Sequence, residues 1–169
     1  PRSFMPQDQR MRDLVARMKL IPIPEFVRGQ RLLFCEDSIV RGTQLKDTIH
    51  RLTTMGAVAI HMRVACPPLL FKCPYLNFSR SRSESALAAR KAIRELEGGE
   101  EAHLEEYADE SSDRHRAMVD LISGHLGLTS LRYQTLSDMT EAIGLPPDRI
   151  CDSCWTGKLC PGACAGSKA

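Results

Sequence analysis

The sequence has few aromatic residues and no long apolar run. Aromatic side chains make up 5% of the 169 residues, so we expect a mostly aliphatic core. No apolar run approaches the roughly 20 residues of a membrane span, and no basic start precedes an apolar signal segment. The net charge of +2 gives no reason to expect a nucleic-acid partner. These absences predict a soluble, cytoplasmic protein that binds neither membrane nor nucleic acid.

The chain also lacks an initiator methionine and a recognisable catalytic triad. It opens on Pro1-Arg2, which predicts that it is part of a longer chain. Neither a Ser/His/Asp nor a Cys/His triad can be assembled from the sequence. The histidines are dispersed, as expected of surface or hydrogen-bonded core groups: His50, His61, His103, His115 and His125.

Apolar spacing in the first part predicts a βαβ unit. Strands are expected at 30–35 and 57–68, the second ended by Pro67-Pro68. Between them a helical pattern ends at Gly56, and a basic amphipathic helix is expected earlier, at 7–20. This order implies parallel strands joined by a right-handed crossover. The helical pattern between the strands consists of Leu45, Ile49, Leu52 and Met55.

The second part predicts helices around an acidic segment and a cysteine-rich tail. Helices are expected at 81–96 and up to Gly127, with a short strand at 128–133 after them. Thr135 is predicted to cap a further helix that ends at Gly144. The acidic run 97–113 reads as a solvated connector or surface insertion. We therefore divide the chain into a ligand-binding part (1–75), a helical and acidic insertion (76–117), and C-terminal helices with the tail (118–169).

The first predicted strand runs directly into two acids and a glycine-containing loop. Glu36 and Asp37 follow apolar residues 32–35, and Gly42-Thr43 precede the helix. Backbone N–H groups and the positive helix end make such a loop a phosphate site, at the edge where parallel sheets bind ligands. Gly42 would let the backbone approach the ligand, and Ser38 and Thr43 would add hydroxyl donors.

The two carboxylates would repel a bare phosphate. Glu36 and Asp37 therefore favour a sugar phosphate with vicinal hydroxyls, bound directly or through Mg²⁺. The competing interpretation is a strand that ends in two solvated acids before a turn. The full order from apolar strand to helix favours the ligand site.

Seven cysteines suggest a metal or redox feature in the tail. An odd number without a signal peptide argues against a disulfide framework. Cys35 and Cys66 read as small core hydrophobes. A thioredoxin-like pair is weakly supported, because no long helix follows the C-x-x-C of "CDSC". A tetrahedral zinc site could instead be formed by Cys151, Cys154, Cys160 and Cys164.

Several motifs together resemble one family. The stretch "CEDSIVRGT" resembles the phosphoribosylpyrophosphate (PRPP) motif of type I phosphoribosyltransferases, and its core is similar to that of the glutamine PRPP amidotransferases. The segments "RSFMPQDQRMRDLVARMKL", "ACPPLLFKC" and "LGLTSLRYQTLSDMTEAIGLPPDRICDSCWTGK" resemble the same family. The departures are Glu36 for a more usual Asp, Gln44 for Thr, a longer acidic segment 77–117, and the added Cys160 and Cys164.

The resemblance implies part of a type I phosphoribosyltransferase-like α/β domain, a parallel sheet flanked by helices with a Cys-rich tail. The whole enzyme, a pentosyltransferase of purine biosynthesis, would use ammonia from an upstream glutaminase to convert PRPP into 5-phosphoribosylamine. We expect this fragment alone to be inactive, and the whole protein to form homo-oligomers. The implied PRPP-binding residues are Glu36, Asp37, Ser38, Ile39, Val40, Arg41, Gly42 and Thr43, with Mg²⁺ at Glu36 and Asp37.

The resemblance also favours an iron–sulfur cluster over the local zinc site. Cys73, Cys151 and Cys154 match three ligands of a [4Fe–4S] cluster in the iron–sulfur members, and the fourth is expected upstream of Pro1. Arg17 and Lys19 could contact nucleotide effectors, although a basic helix face explains them equally well. The alternative function is a non-catalytic phosphoribosyltransferase-like domain for ligand sensing or regulation, which would have no reason for the cysteine set.

Overall fold

A three-stranded parallel sheet organises the computed structural model, which describes residues 21–73 and 84–158. Strands β1 (Arg31–Glu36), β2 (Ala59–Val64) and β3 (Ser130–Tyr133) pair in that order, and both pairings are parallel. Glu36 is in register with Val64, and Val64 with Tyr133. The carboxyl ends of all three strands therefore lie at one edge of the sheet, and the predicted βαβ unit is confirmed.

The longer helices match predicted ones, although the helix predicted from residue 81 begins as an α-helix only at Ala88. The short helices Pro24–Val27, Leu104–Ala108 and Ser153–Thr156 were not predicted. Ser112 and Thr135 cap two of the longer helices, because their hydroxyls accept hydrogen bonds from His115 N and Asp138 N. None of the helices in the described ranges is long and apolar enough to cross a membrane. The predicted helix 7–20, residues 81–83, Cys160 and Cys164 lie outside the described residues. The helices are α1 (Pro24–Val27), α2 (Thr43–Thr54), α3 (Ala88–Leu96), α4 (Leu104–Ala108), α5 (Asp113–Leu126), α6 (Leu136–Ile143) and α7 (Ser153–Thr156), with 3₁₀ turns at Glu84–Ala86 and Pro147–Arg149.

The core lies on one face of the sheet, under α2, α3 and α5. Alternation along β2 buries every second side chain on this face, as a strand period of two requires. The core is mostly aliphatic, as the low aromatic content predicts. It includes Ile49, Leu52, Ile60, Met62, Val64, Ile93, Met118, Ile122 and Leu131.

The opposite face of β1 is exposed in the described part of the chain. Leu32 and Phe34 pack against the core, whereas Leu33 is 65% exposed and Cys35 is also exposed. The prediction that Cys35 is a core residue is wrong, because the strand period places it beside Leu33 on the uncovered face. Cys66, the other cysteine predicted to be in the core, is buried.

The acidic segment is better integrated than a solvated connector. Tyr107 of α4 is 1% exposed, and its hydroxyl donates to Glu97 at 2.7 Å. Glu97 is also paired with Arg114 of α5. The prediction of a solvated face is therefore wrong at these positions, because one buried aromatic ring anchors the segment and its acids serve as ion-pair partners.

Arg90 connects the acidic segment to the loop that follows β2. It is 4% exposed, and its Nε donates to the Leu70 carbonyl at 2.6 Å. Its terminal nitrogens pair with Glu101 at 2.8 Å and Glu84 at 3.3 Å, and its guanidinium lies 5.1 Å from the centre of the Phe71 ring. A buried guanidinium with these partners fixes the loop after β2 against α3.

Arg90→Met should lower the free energy of unfolding by about 2–3 kcal/mol, because the Leu70 carbonyl and two carboxylates lose their donor. Arg94→Met is the matched control, since Arg94 is exposed on the same helix and should change stability by no more than about 0.5 kcal/mol. Denaturant unfolding of both variants tests this. Equal effects would contradict the role of Arg90.

Candidate functional site

The loop between β1 and α2 has the predicted strand–loop–helix geometry. Glu36 is the last residue of β1, and α2 begins at Thr43. Gly42 is the N-cap in the left-handed conformation (φ 74°), and its carbonyl accepts from Lys46 N at 2.8 Å. The first-turn amides of a helix lack intrahelical partners and carry the positive end of its dipole, so this end of α2 suits an anion.

The two acids lie together at the carboxyl edge of the sheet, and both are exposed. Asp37 Oδ1 accepts from Ser38 N at 2.6 Å, which orients the carboxylate over the loop. The Glu36 carbonyl accepts from Ala65 N at 2.9 Å, so the acid pair is joined directly to the segment after β2. The arrangement offers carboxylate oxygens, a hydroxyl and helix amides to one ligand.

The middle of the loop is anchored to the core. The Ile39 side chain is 4% exposed within the core cluster, and the Val40 carbonyl accepts from Ala88 N at 2.8 Å. Of the eight residues predicted to bind PRPP, Ile39 can therefore meet a ligand only through its main chain. Glu36, Asp37 and Thr43 expose their side chains.

Gly42 has a structural role that the sequence analysis missed. A Cβ at this position would lie 2.9 Å from Leu126 Cδ2, on the core side of the loop. Leu126, at the end of α5, is 6% exposed. The glycine thus permits both a positive φ and the close packing of α5 under the loop, so a larger residue would disturb the fold itself.

Gly42→Ala should lower the free energy of unfolding by about 1–3 kcal/mol, because it adds both backbone strain and a collision with Leu126. Gly124→Ala is the matched control: Gly124 lies within α5, a Cβ there would meet nothing within 4 Å, and helix propensity predicts a gain of about 0.5–1 kcal/mol. We expect the two variants to change the free energy of unfolding in opposite directions, as measured by thermal or denaturant unfolding. A neutral Gly42→Ala variant would contradict the packing argument.

The structure brings Cys73 and Cys154 together, as predicted. Cys73 is 5% exposed and hydrogen-bonded to the Cys154 thiol. Burial raises the pKa of Cys154 to about 12, with further contributions from Cys73, Cys151 and Cys66. The Cys154 carbonyl also accepts from the amides of Leu70 and Phe71, at 3.1 and 3.0 Å. The tail is therefore fixed to the loop after β2.

Cys151 lies at the margin of this thiol pair. Its sulfur is 3.3 Å from Ser153 Oγ. Within residues 21–73 and 84–158 no three His, Cys, Asp or Glu side chains form a set that could hold a metal ion. Two thiols in contact fit a thiolate-bound metal centre, but a third ligand would have to move in. The local zinc alternative expects Cys73 to be remote from the tail, and this part of it is wrong.

Cys66 and Trp155 are the site neighbours that sequence reasoning missed. Burial and the nearby Asp37 carboxylate raise the pKa of Cys66 to about 11, partly offset by a hydrogen bond with Trp155. Trp155 Nε1 also donates to the Pro67 carbonyl at 3.1 Å. Nothing in the residue spacing signals this contact, because 88 residues separate Trp155 from Pro67.

Solved structures share this architecture. The glutamine PRPP amidotransferase from B. subtilis, complexed with ADP and GMP, matches 94% of the chain with a TM-score of 0.62 and 26% identity. A structure described as the allosteric regulatory enzyme of purine biosynthesis matches 94% with a TM-score of 0.59 and 25% identity. The matches cover 30% and 29% of those chains. The fold is thus the phosphoribosyltransferase-like α/β fold of these enzymes.

The sequence relatives that match this chain are amidophosphoribosyltransferases. The amidophosphoribosyltransferase of Mycobacterium tuberculosis is 32% identical over 158 residues, and that of Synechococcus elongatus is 28% identical over 157. Each alignment covers 93% of this chain and 26% of the relative, so the chain spans about a quarter of their length. No protein-family model matches. The chain is a homologue of the amidophosphoribosyltransferase family, and the resemblance found in its motifs is confirmed.

Proposed function

We propose that this chain is the PRPP-binding part of an amidophosphoribosyltransferase. The whole enzyme would convert PRPP, glutamine and water into 5-phosphoribosylamine, glutamate and pyrophosphate. The observation that carries the proposal is the acid pair Glu36-Asp37 beside the N-terminus of α2, at the carboxyl edge of a parallel sheet. Homology over 93% of the chain supports it.

Different residues of the loop would bind different parts of PRPP. The first-turn amides of α2, with Ser38 and Thr43, would bind the 5′-phosphate. Glu36 and Asp37 would bind the ribose hydroxyls, directly or through Mg²⁺, for which exposed carboxylate oxygens are suitable ligands. When bound, Mg²⁺ would neutralise charge on the pyrophosphate leaving group. Ammonia from a glutaminase part outside this chain would form the C1–N bond as the C1–O bond breaks.

The cysteine site would have a structural role in this enzyme. Cys73, Cys151 and Cys154 would supply thiolates to a [4Fe–4S] cluster, with the fourth ligand from elsewhere in the longer protein. The displacement of pyrophosphate by ammonia involves no oxidation or reduction, so the cluster would serve to fix the tail against the loop after β2. The contact between Cys73 and Cys154 supports this reading.

Further properties of the whole protein follow from the same proposal. We expect a cytoplasmic homo-oligomer with no membrane or nucleic-acid partner. Nucleotide effectors are expected as well, and the matched B. subtilis structure contains ADP and GMP. A non-catalytic sensing domain remains the second candidate, since it would use the same loop, but the paired cysteines favour the enzyme. Formation of phosphoribosylamine from PRPP and ammonia by the full-length protein separates the two.

Asp37→Asn should weaken PRPP binding by at least about 10-fold with Mg²⁺ and much less without it, because the variant loses a charge but keeps its size. Asp47→Asn is the matched control, since Asp47 is an exposed carboxylate on α2. Calorimetric titration with PRPP, with and without Mg²⁺, measures both. Unchanged affinity and Mg²⁺ dependence in Asp37→Asn would mean that the acids are only a solvated strand end.

Anaerobically purified full-length protein should contain iron and labile sulfide in a ratio of one to one, and Cys73→Ser should remove both. Cys35→Ser is the control, because Cys35 is exposed on the opposite face of the sheet and should leave the iron content unchanged. Stoichiometric zinc without iron or sulfide would reject the cluster in favour of the zinc alternative.

A further inference from the structure

The segment after β2 connects the acid pair to the tail by a continuous set of contacts. At its start, Ala65 N donates to the Glu36 carbonyl at 2.9 Å. At its end, the amides of Leu70 and Phe71 donate to the Cys154 carbonyl. Between these points the Pro67 carbonyl accepts from Trp155 Nε1 at 3.1 Å. The start of segment 65–71 is therefore hydrogen-bonded to the acid pair, and its end is hydrogen-bonded to the tail.

Among the tail residues that the structure describes, up to 158, Trp155 reaches furthest along this segment towards the acids. Its indole N–H donates to the Pro67 carbonyl, and it lies close enough to the Cys66 sulfur to lower the pKa of that thiol. Cys66 is 8% exposed and close enough to Asp37 for the carboxylate to act on it. Trp155 and Asp37 thus both lie near one buried side chain.

The other tail contacts support the position of this indole. Gly157 ends α7 with a positive φ of 73°, and a Cβ there would lie 2.9 Å from the Phe71 ring. Phe71 also lies against the Arg90 guanidinium. The short helix α7 is therefore packed closely on its C-terminal side, which leaves the indole little freedom to move away from Pro67.

We propose that Trp155 is a positioning residue for the substrate site: its indole N–H fixes residues 65–67 and so sets the placement of the Glu36-Asp37 pair. This rests on the proposed function, because the acids matter only if the loop binds PRPP. It gives the tail an indirect role in substrate binding, through residues 65–67, in addition to any stabilisation of the fold.

Trp155→Phe tests the proposal, because it keeps an aromatic ring but removes the N–H donor. In the full-length protein the KM for PRPP should rise roughly 3- to 10-fold, the factor expected for one lost hydrogen bond, with kcat changing less. Thr140→Val is the control: it also removes one side-chain hydrogen bond to a main-chain carbonyl, from the Thr140 hydroxyl to Ser137, away from the segment. This control should leave the KM for PRPP unchanged.

The indole also provides a readout that does not depend on activity. Trp155 is the single tryptophan of the chain, so its emission can be isolated by subtracting the Trp155→Phe spectrum. Titration with PRPP and Mg²⁺ should change this emission with the same midpoint as the calorimetric binding curve. Asp37→Asn should shift that midpoint to higher PRPP concentration.

Two results would overturn the inference. A Trp155→Phe variant with a lower unfolding temperature but an unchanged KM for PRPP would show a purely structural role. Indole emission that stays constant while PRPP saturates the protein would contradict the link to Asp37. Both are distinct from failure of the proposed function, in which the wild-type protein itself would not bind PRPP and the positioning role would fall with it.

Discussion

The parallel pairing of β1 with β2 is the constraint on which the other features depend. With Glu36 in register with Val64, the loops that follow the two strands must leave the sheet side by side. One of these loops carries the acids and leads to the N-terminus of α2; the other leads to Cys73. A slip of one residue would turn every side chain of β1 to the opposite face, and the buried core on one face prevents it.

Two helices, α3 and α5, contact the candidate loop and hold it in place. The end of α5 packs under Gly42 through Leu126, and the start of α3 binds the Val40 carbonyl. Of these two helices, α3 precedes the acidic segment 97–113 and α5 follows it, and both are far in sequence from the loop. The candidate loop is therefore held by residues distant in sequence, so its geometry is a property of the whole described domain and of no single motif.

The tail completes the arrangement at the carboxyl edge. Its backbone accepts two hydrogen bonds from the loop after β2, and its thiol meets Cys73 there. Arg90 reinforces the same loop from α3. Contacts from several elements reduce the conformational freedom of the loop after β2. This would suit the proposed reaction, which depends on positioning more than on a nucleophile.

The sequence by itself determined the local features of this protein. Strand periods, the capping residue Thr135 and the helix stop at Gly127 act over a few residues, so their positions could be predicted. The order of strand, acids, glycine and helix likewise defined the candidate loop. Only the tertiary structure decided which faces are covered. It therefore corrected the prediction that Cys35 is a core residue and the prediction that the acidic segment around Tyr107 is solvated. It alone revealed Leu126 under Gly42 and Trp155 beside Cys66, because contacts between residues far apart in the chain follow from packing and leave no periodic pattern in the sequence.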